Sequence, residues 1–440
     1  MAAVLVALAA VVLVLRPGPI GELFAESPEP PRFRPPAPRP VLAGAGSTSA
    51  PTADGLAEAI DGLAADRRLG DLSASIVDLE TGDQLYDRNS AAPVVPASVN
   101  KVVTGFAVLA ARGPNHRLTT RVVEGANPGE VVLVGAGDPT LTVSKGGTYP
   151  GAARLNTLAA EVKKQLGGAT PTKVLVDSSA FTGPALGPGW DSDIASAGYA
   201  APITALMIDG GRVSPKNSAR SASPDIAAGR AFAKLLGVPE DGVASGTAPD
   251  GADKLGAVES PPLIRLVEIM LKNSDNVVAE TLARQVALAR EAEPSFTGAG
   301  QATIDLLEEM GVATEQVALS DGSGLSRRNL LTAGLLTSLF AVAAGDKHPD
   351  LSVLFSGLPV AGYTGTLDDR FGGGSRGGIG VVRAKTGTLS GVSSLAGVVV
   401  DADGRPLGFS LVANDVPGGS ASAEQVLDRI VATLAGCGCR

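Results

Sequence analysis

The chain is poor in the side chains that most often carry metals and acid–base chemistry. Its 440 residues include two histidines, His116 and His348, and two cysteines, Cys437 and Cys439. Two histidines are too few for a His-rich zinc site, and neither a metal nor a cofactor is expected. Both lie in polar, turn-like settings, Gly113-Pro114-Asn115-His116-Arg117 and Asp346-Lys347-His348-Pro349. Either would serve a Ser/His pair, but neither carries a motif, and a surface position is the simpler reading. The cysteines sit at the extreme C-terminus, so no disulfide framework braces the body. An external disulfide in an oxidising compartment stays open. Leu434-Ala435-Gly436-Cys437 has the look of a lipid-attachment box. Such boxes follow an N-terminal signal, so here the match reads as chance. Aromatics make up only 3%, which leaves the core to Ala, Val, Leu and Ile. No block of Lys or Arg occurs and the net charge is -9, so nucleic acid is not an expected partner.

What is present describes a globular protein. Hydrophobic residues make up 44% and charged residues 18%, and the length calls for two or more domains. Residues 2 to 15, AAVLVALAAVVLVL, carry no charge. A membrane span needs roughly 20 residues, so this run suits an export signal or part of an anchor over 1–16. No Lys or Arg precedes it, as a signal normally requires. Residues 17–54 are rich in Pro, Ala, Gly and Ser and read as an extended linker. Export to the periplasm or another extracytoplasmic site is expected, with a membrane tether as one form of it.

Apolar spacing predicts a helix over Leu56 to Arg68, then a hairpin turning at Glu80-Thr81-Gly82-Asp83. Pro93 and Pro96 break the chain before a helix predicted from Ser98 to Arg112. From Leu118 to about Gly242, strands at 131–134 and 173–176 alternate with Gly/Pro/Ser stretches and two helices, 153–166 and 226–236. Helical spacing returns over 262–288, 301–310 and 330–343. Strands are predicted between Val381 and Val412, and a last helix over 423–434. The domain reading is a body of 55–112 and 262–440, with residues 113–261 inserted.

Three short motifs carry chemistry. In Ser98-Val99-Asn100-Lys101 the Ser and Lys share one helix face. That gives a hydroxyl nucleophile with an amine in reach, beside the positive end of a helix. The amine serves as base only if burial or nearby cations lower its pKa. The plainer alternative is a Ser N-cap followed by a solvated Lys. Ser274-Asp275-Asn276 forms a polar break between two apolar helices. Lys385-Thr386-Gly387-Thr388 ends a strand along which a substrate backbone can lie. Singly each is weak; in this order, on these elements, they form a strong signal.

The trio resembles that of the low-molecular-mass (class C) penicillin-binding proteins of the D-Ala-D-Ala carboxypeptidase/endopeptidase type, a serine peptidase group with an insertion between the first two motifs. The resemblance spans roughly residues 55 to 434. It includes Gly135-Ala136-Gly137-Asp138-Pro139-Thr140-Leu141, Ser260-Pro261-Pro262-Leu263, Asp321-Gly322-Ser323-Gly324-Leu325-Ser326-Arg327 and Gly365-Thr366-Leu367 with Arg370-Phe371. It implies an α+β fold: a penicillin-binding/β-lactamase-like transpeptidase domain, an antiparallel sheet with helices, carrying an inserted mixed α/β domain.

By the same resemblance, Ser98 attacks peptidoglycan stem peptides ending in D-Ala-D-Ala and Lys101 takes its proton. Ser274 relays a proton, Asn276 holds the substrate amide and Lys385 keeps the field positive. Thr386, Gly387 and Thr388 line the substrate, while Asp138 and Arg327 hold the zwitterionic tip of a diaminopimelate side chain. β-Lactams are implied as acylating inhibitors. The insert looks shorter than in the largest members, which leaves endopeptidase activity open. A β-lactamase is the nearest rival, but no Glu-x-x-Leu-Asn occurs. A catalytically idle cell-wall sensor and a cytoplasmic esterase are the other rivals.

Overall fold

The computed structural model describes residues 49–440; the expected signal and the linker up to residue 48 lie outside the described residues. Thr52 starts the first helix, its hydroxyl accepting from Gly55 N at 3.1 Å. In α1 (Ala53–Ala64), Leu56, Ile60 and Ala64 repeat every fourth residue and form its buried stripe. The hairpin β1 (Asp71–Asp78) and β2 (Gln84–Arg88) follows, its turn held by Asp78, which accepts from Glu80 N and Thr81 N. A 3-10 turn, Ala97–Val99, leads into α2 (Asn100–Arg112), in which every residue from Asn100 to Leu109 is buried. A helix apolar and buried all round is the centre of a layer, not its surface.

Next come β3 (Thr119–Glu124), β4 (Glu130–Val134), α3 (Leu155–Gln165), β5 (Lys173–Asp177), α4 (Pro224–Leu236), β6 (Val243–Ser245) and β7 (Lys254–Glu259). These strands make a mixed sheet in the order β6-β5-β4-β3-β7. The parallel pairs β4/β5 and β5/β6 are each bridged by a helix, α3 or α4, as parallel neighbours require. Val122, Leu133, Val174, Val176, Leu158 and Phe232 fill the space between sheet and helices. The sequence reading missed β3, β6 and β7. β7 contains Gly256, where a Cβ would stand 3.1 Å from that of Glu161 on α3. Packing, not propensity, selects that strand.

The chain then forms α5 (Leu263–Asn273), α6 (Asn276–Ala289), α7 (Phe296–Glu309) and α8 (Ala333–Ala344), followed by β8 (Val382–Leu389), β9 (Val392–Val400), β10 (Pro406–Asn414) and α9 (Ser420–Ala435). The second sheet is wholly antiparallel, β2-β1-β10-β9-β8. Helices α1 and α9 cover one face and α8 the other. This is the α+β arrangement expected from the sequence. β8 lies at the sheet edge; the outer side of its first residues pairs with 359–361, and its later residues lie beside the turn that carries Ser98.

Candidate active site

Pro93 and Pro96 restrict the backbone ahead of Ser98, with Pro96 at φ -80° and ψ -23°, and the sheet then fixes the approach. Val95 N donates to Asn414 Oδ1 at 2.9 Å, and Ser394 Oγ donates to the Pro96 carbonyl at 2.8 Å. Ala97 is held at φ 52°, a left-handed backbone that costs an alanine about 1–2 kcal/mol. The surrounding bonds hold that strain, which turns Ser98 toward the cleft. Ser98 lies inside the 3-10 turn, two residues before α2 begins; the sequence had started the helix at Ser98 itself. Its hydroxyl makes no N-cap bond.

Ser98 Oγ instead accepts from Lys101 Nζ at 3.0 Å. The same ammonium donates to Asn276 Oδ1 at 2.7 Å and to the Ser323 carbonyl at 2.7 Å. Three acceptors match the three N–H bonds of a charged lysine. Once one proton is lost, two N–H bonds keep the amide and carbonyl, and the lone pair faces Ser98. Burial pushes the Lys101 ammonium down to about 8, against the opposing pull of the Asp321, Glu280 and Asp275 carboxylates. Lys101 is fully buried, yet it touches the half-buried Ser98 directly.

The second motif is built by a reversal. Ser274 ends α5 at φ 54°, and Asp275 caps α6 by accepting from Val278 N at 3.1 Å. Asn276, the first residue of α6, thereby points its oxygen at Lys101 and donates through Nδ2 to the Tyr199 carbonyl at 3.0 Å. On β8, Lys385 is fully buried and donates to the Thr386 carbonyl at 2.7 Å. Burial, then the charge of Lys101, holds its ammonium well below the ordinary range. Thr386 and Thr366 share a hydrogen bond of 2.8 Å, and Thr388 donates to Glu424 at 3.2 Å. Gly387 stands so near the nucleophile turn that a Cβ there would lie 3.0 Å from Ser98 N and 2.9 Å from Pro96 O.

Three motifs, far apart in the chain, thus meet around one hydroxyl. The profile of the D-Ala-D-Ala carboxypeptidase 3 (S13) family matches residues 56–223 and 215–435. The chain belongs to that family. It is 43% identical over 418 residues to a carboxypeptidase of Mycobacterium tuberculosis, covering 92% of this chain and 90% of that protein. To Carboxypeptidase DacB of Mycolicibacterium smegmatis it is 41% identical over 420 residues, with the same two coverages, 92% and 90%. The crystal structure of penicillin binding protein 4 from Haemophilus influenzae matches with a TM-score of 0.71 at 24% identity, over 88% of this chain and 99% of that one. The last comparison shows a shared fold.

In this S13 peptidase the two histidines stand apart from Ser98. His116 lies 3.2 Å from Arg112 Nη1, and His348 is exposed. Cys437 and Cys439 pair with each other across Gly438, an internal link that the sequence reading had not anticipated. Arg327 is exposed and donates to the Ser390 carbonyl at 2.6 Å, beside the end of β8. Asp138 is buried, with Oδ1 accepting from Thr140 N and Oγ1 at 2.8 and 2.6 Å and Oδ2 without a hydrogen-bond partner. Burial pushes its carboxyl up to about 6. The side-chain hydrogen bonds of Asp138 are local, and none joins it to Arg327.

Other supports escaped sequence reading because they come from the distant segment 113–261. Tyr149 donates to Asp275 Oδ2 at 2.8 Å, and Arg212 donates to the Tyr149 oxygen at 2.9 Å. Trp190 Nε1 donates to Asp321 Oδ2 at 2.8 Å. Glu280 is the missed residue that did leave a signal: a lone carboxylate in the apolar run Val277-Val278-Ala279-Glu280-Thr281-Leu282.

Gly387→Ala tests how tightly β8 is set against Ser98. Its methyl would also meet Ser394 Oγ at 2.2 Å, so the strand or the nucleophile turn must shift. Labelling by fluorescent penicillin is expected to slow about 100-fold, as for a displacement near 1 Å, with the thermal midpoint little changed. Labelling at the wild-type rate would show that the approach is not needed.

Proposed function

We propose that this S13 peptidase removes the terminal D-Ala from peptidoglycan stem peptides ending in D-Ala-D-Ala, through an acyl-enzyme on Ser98. The observation that carries the reading is the single ammonium of Lys101, bound at once to Ser98 Oγ, Asn276 Oδ1 and the Ser323 carbonyl. Ser98 Oγ attacks the carbonyl carbon of the penultimate D-Ala, and its proton passes to Lys101 Nζ. The oxyanion is met by the backbone N–H groups of Ser98 and Thr388, which the close approach of Gly387 supports. The C–N bond then breaks. Ser274, whose hydroxyl has no protein partner among the described residues, passes a proton to the leaving amine. Water hydrolyses the resulting ester and restores Ser98.

Lys385 keeps the local field positive, and Asn276 holds the substrate amide. Thr386 and Thr388 hydroxyls bind the terminal carboxylate, with Gly387 giving the chain room to lie along β8. Arg327 and the free Oδ2 of Asp138 are assigned to the carboxylate and ammonium of a diaminopimelate tip. A β-lactam presents the same carbonyl and carboxylate and acylates Ser98 with slow release. We assign residues 55–112 and 262–440 to the peptidase domain and 113–261 to an insert. The site of action is extracytoplasmic, where the substrate lies. Among the described residues no helix is long and apolar enough to cross a membrane, so a tether would rest on residues before 49.

Incubation of the full chain with diacetyl-Lys-D-Ala-D-Ala tests the reading. Stoichiometric release of D-Ala, blocked by penicillin, is the expected result. Absence of release from folded protein would favour an idle sensor, and nitrocefin turnover at many cycles per second would make the chain a β-lactamase.

A further inference from the structure

The lysine base has a support that lies outside all three motifs. Residues 321–324 form a turn, and the carbonyls of its first three residues face α2. Asn100 Nδ2 donates to Asp321 O at 2.9 Å, Lys101 Nζ to Ser323 O at 2.7 Å and Thr104 Oγ1 to Gly322 O at 2.6 Å. The N–H groups of Gly322 and Ser323 face the other way, into α6, while Gly324 N donates within the turn to Asp321 Oδ1 at 2.7 Å. Glu280 Oε2 accepts from Gly322 N at 3.0 Å, and Oε1 accepts from Ser323 N at 2.8 Å. No side chain fits at two of the turn's positions. A Cβ at 322 would stand 2.6 Å from that of Ala283, and one at 324 would stand 1.9 Å from the Ala97 carbonyl.

Glu280 is itself fully buried, one turn along α6 from Asn276, so a single helix carries both a direct partner of Lys101 and the clamp on another. Arg284, also buried, lies 3.9 Å from Glu280 and stacks 4.0 Å over the Phe296 ring. A buried carboxylate of this kind is retained at a desolvation cost, and two charge-assisted bonds to one turn are what it returns.

We propose that Glu280 is the positioning residue of the catalytic lysine, holding the 321–324 turn so that the Ser323 carbonyl stays on Lys101 Nζ and supplying the nearby negative charge that the ammonium feels. The inference rests on Lys101 acting as the base for Ser98. The charged groups around Lys101 are Asp321 on the turn, Glu280 on α6, Asp275 at its cap and Lys385 on β8. Around Glu280 they are Asp321 and Arg284: burial, then the Asp321 charge, pushes the carboxyl up to about 7, and Arg284 opposes that shift.

Two variants separate charge from reach. Glu280→Gln keeps the shape but loses the charge and one of the two acceptors. Because the carboxylate favours the ammonium, its loss eases deprotonation of Lys101. The pH at which penicillin acylation is half-maximal is therefore expected to fall, while the plateau rate drops about 10- to 100-fold as the carbonyl drifts. Glu280→Asp keeps the charge but withdraws it, so the plateau drops with a midpoint nearer the wild type. Trp190 is the chain's one tryptophan and is bonded to Asp321 in the same turn, so its emission reports the turn without substrate. A changed emission in either variant is expected.

Wild-type plateau, midpoint and emission in Glu280→Gln would overturn the proposal. So would an equal loss at every pH with unchanged emission, the mark of a merely structural residue. If Glu280→Gln does not fold, Glu280→Asp carries the test alone, and a wild-type plateau there refutes the clamp. Labelling of wild type and Ser98→Ala alongside shows separately whether the acyl-enzyme reading stands.

Discussion

Fluorescent penicillin is expected to leave no covalent label on Ser98→Ala, and to label Lys101→Met about 10²–10⁴-fold more slowly than the wild type. The first result follows because, among the described residues, no other hydroxyl is hydrogen-bonded to Lys101: its side-chain partners are Ser98 and Asn276. The second follows from what methionine keeps and loses. It fills the buried slot but offers no lone pair to Ser98 and no N–H to Asn276 or Ser323. The pH profile gives a further check. With the ammonium lowered to about 8, only the neutral fraction accepts the Ser98 proton. At pH 7 that fraction is about one tenth, so the rate should rise about tenfold per pH unit below the midpoint and level above it. Lys101→Met should lose this limb. Labelling of Ser98→Ala at the wild-type rate would move the nucleophile elsewhere, and an unchanged profile in Lys101→Met would remove the lysine from the proton route.

The residues legible in the sequence were those whose chemistry is local. Ser98 and Lys101 are three apart, and the backbone alone brings them to one face. Ser274-Asp275-Asn276 could be placed in a turn because apolar helices flank it. Lys385-Thr386-Gly387 could be placed on a strand because Val381-Val382 precedes it. Even there the detail differed: the nucleophile occupies a 3-10 turn behind a strained Ala97, not the first turn of α2, since Pro96 and the sheet fix the approach. The supports of the site were not legible. Tyr149 reaches Asp275 across 126 positions and Trp190 reaches Asp321 across 131, distances at which no spacing rule operates. The antiparallel sheet was readable from its hairpins. β3, β6 and β7 were not: β6 is only three residues long, and β3 and β7 mix polar residues or a glycine into their runs and gain their order from their neighbours.

Arg405→Met is expected to destabilise the fold by about 3–5 kcal/mol while leaving the chemistry of Ser98 intact in the folded fraction. Arg405 begins the return from β9 to β10, and its Nε and Nη2 lie 2.9 and 2.7 Å from Asp78 Oδ2 at the end of β1. A second pair joins it to Glu80 in the β1–β2 turn. Asp78 is almost fully buried, so methionine would strand its charge where water cannot reach. Its other oxygen still accepts from Glu80 N and Thr81 N, which keeps the turn but does not replace the cation. The lesion lies at one end of the strands. The nucleophile turn is pinned at the other, through Asn414, which pairs with Asp71, and through Ser394, which pairs with Gly387. The urea midpoint should therefore fall with little change in slope, while the penicillin acylation rate per folded molecule stays near the wild type. An unchanged midpoint would mean that the pair does no more than offset its own desolvation. A parallel loss of acylation would mean that the two ends of the sheet are coupled, and that the strain at Ala97 is held by the whole of β10 and not by its last residues alone.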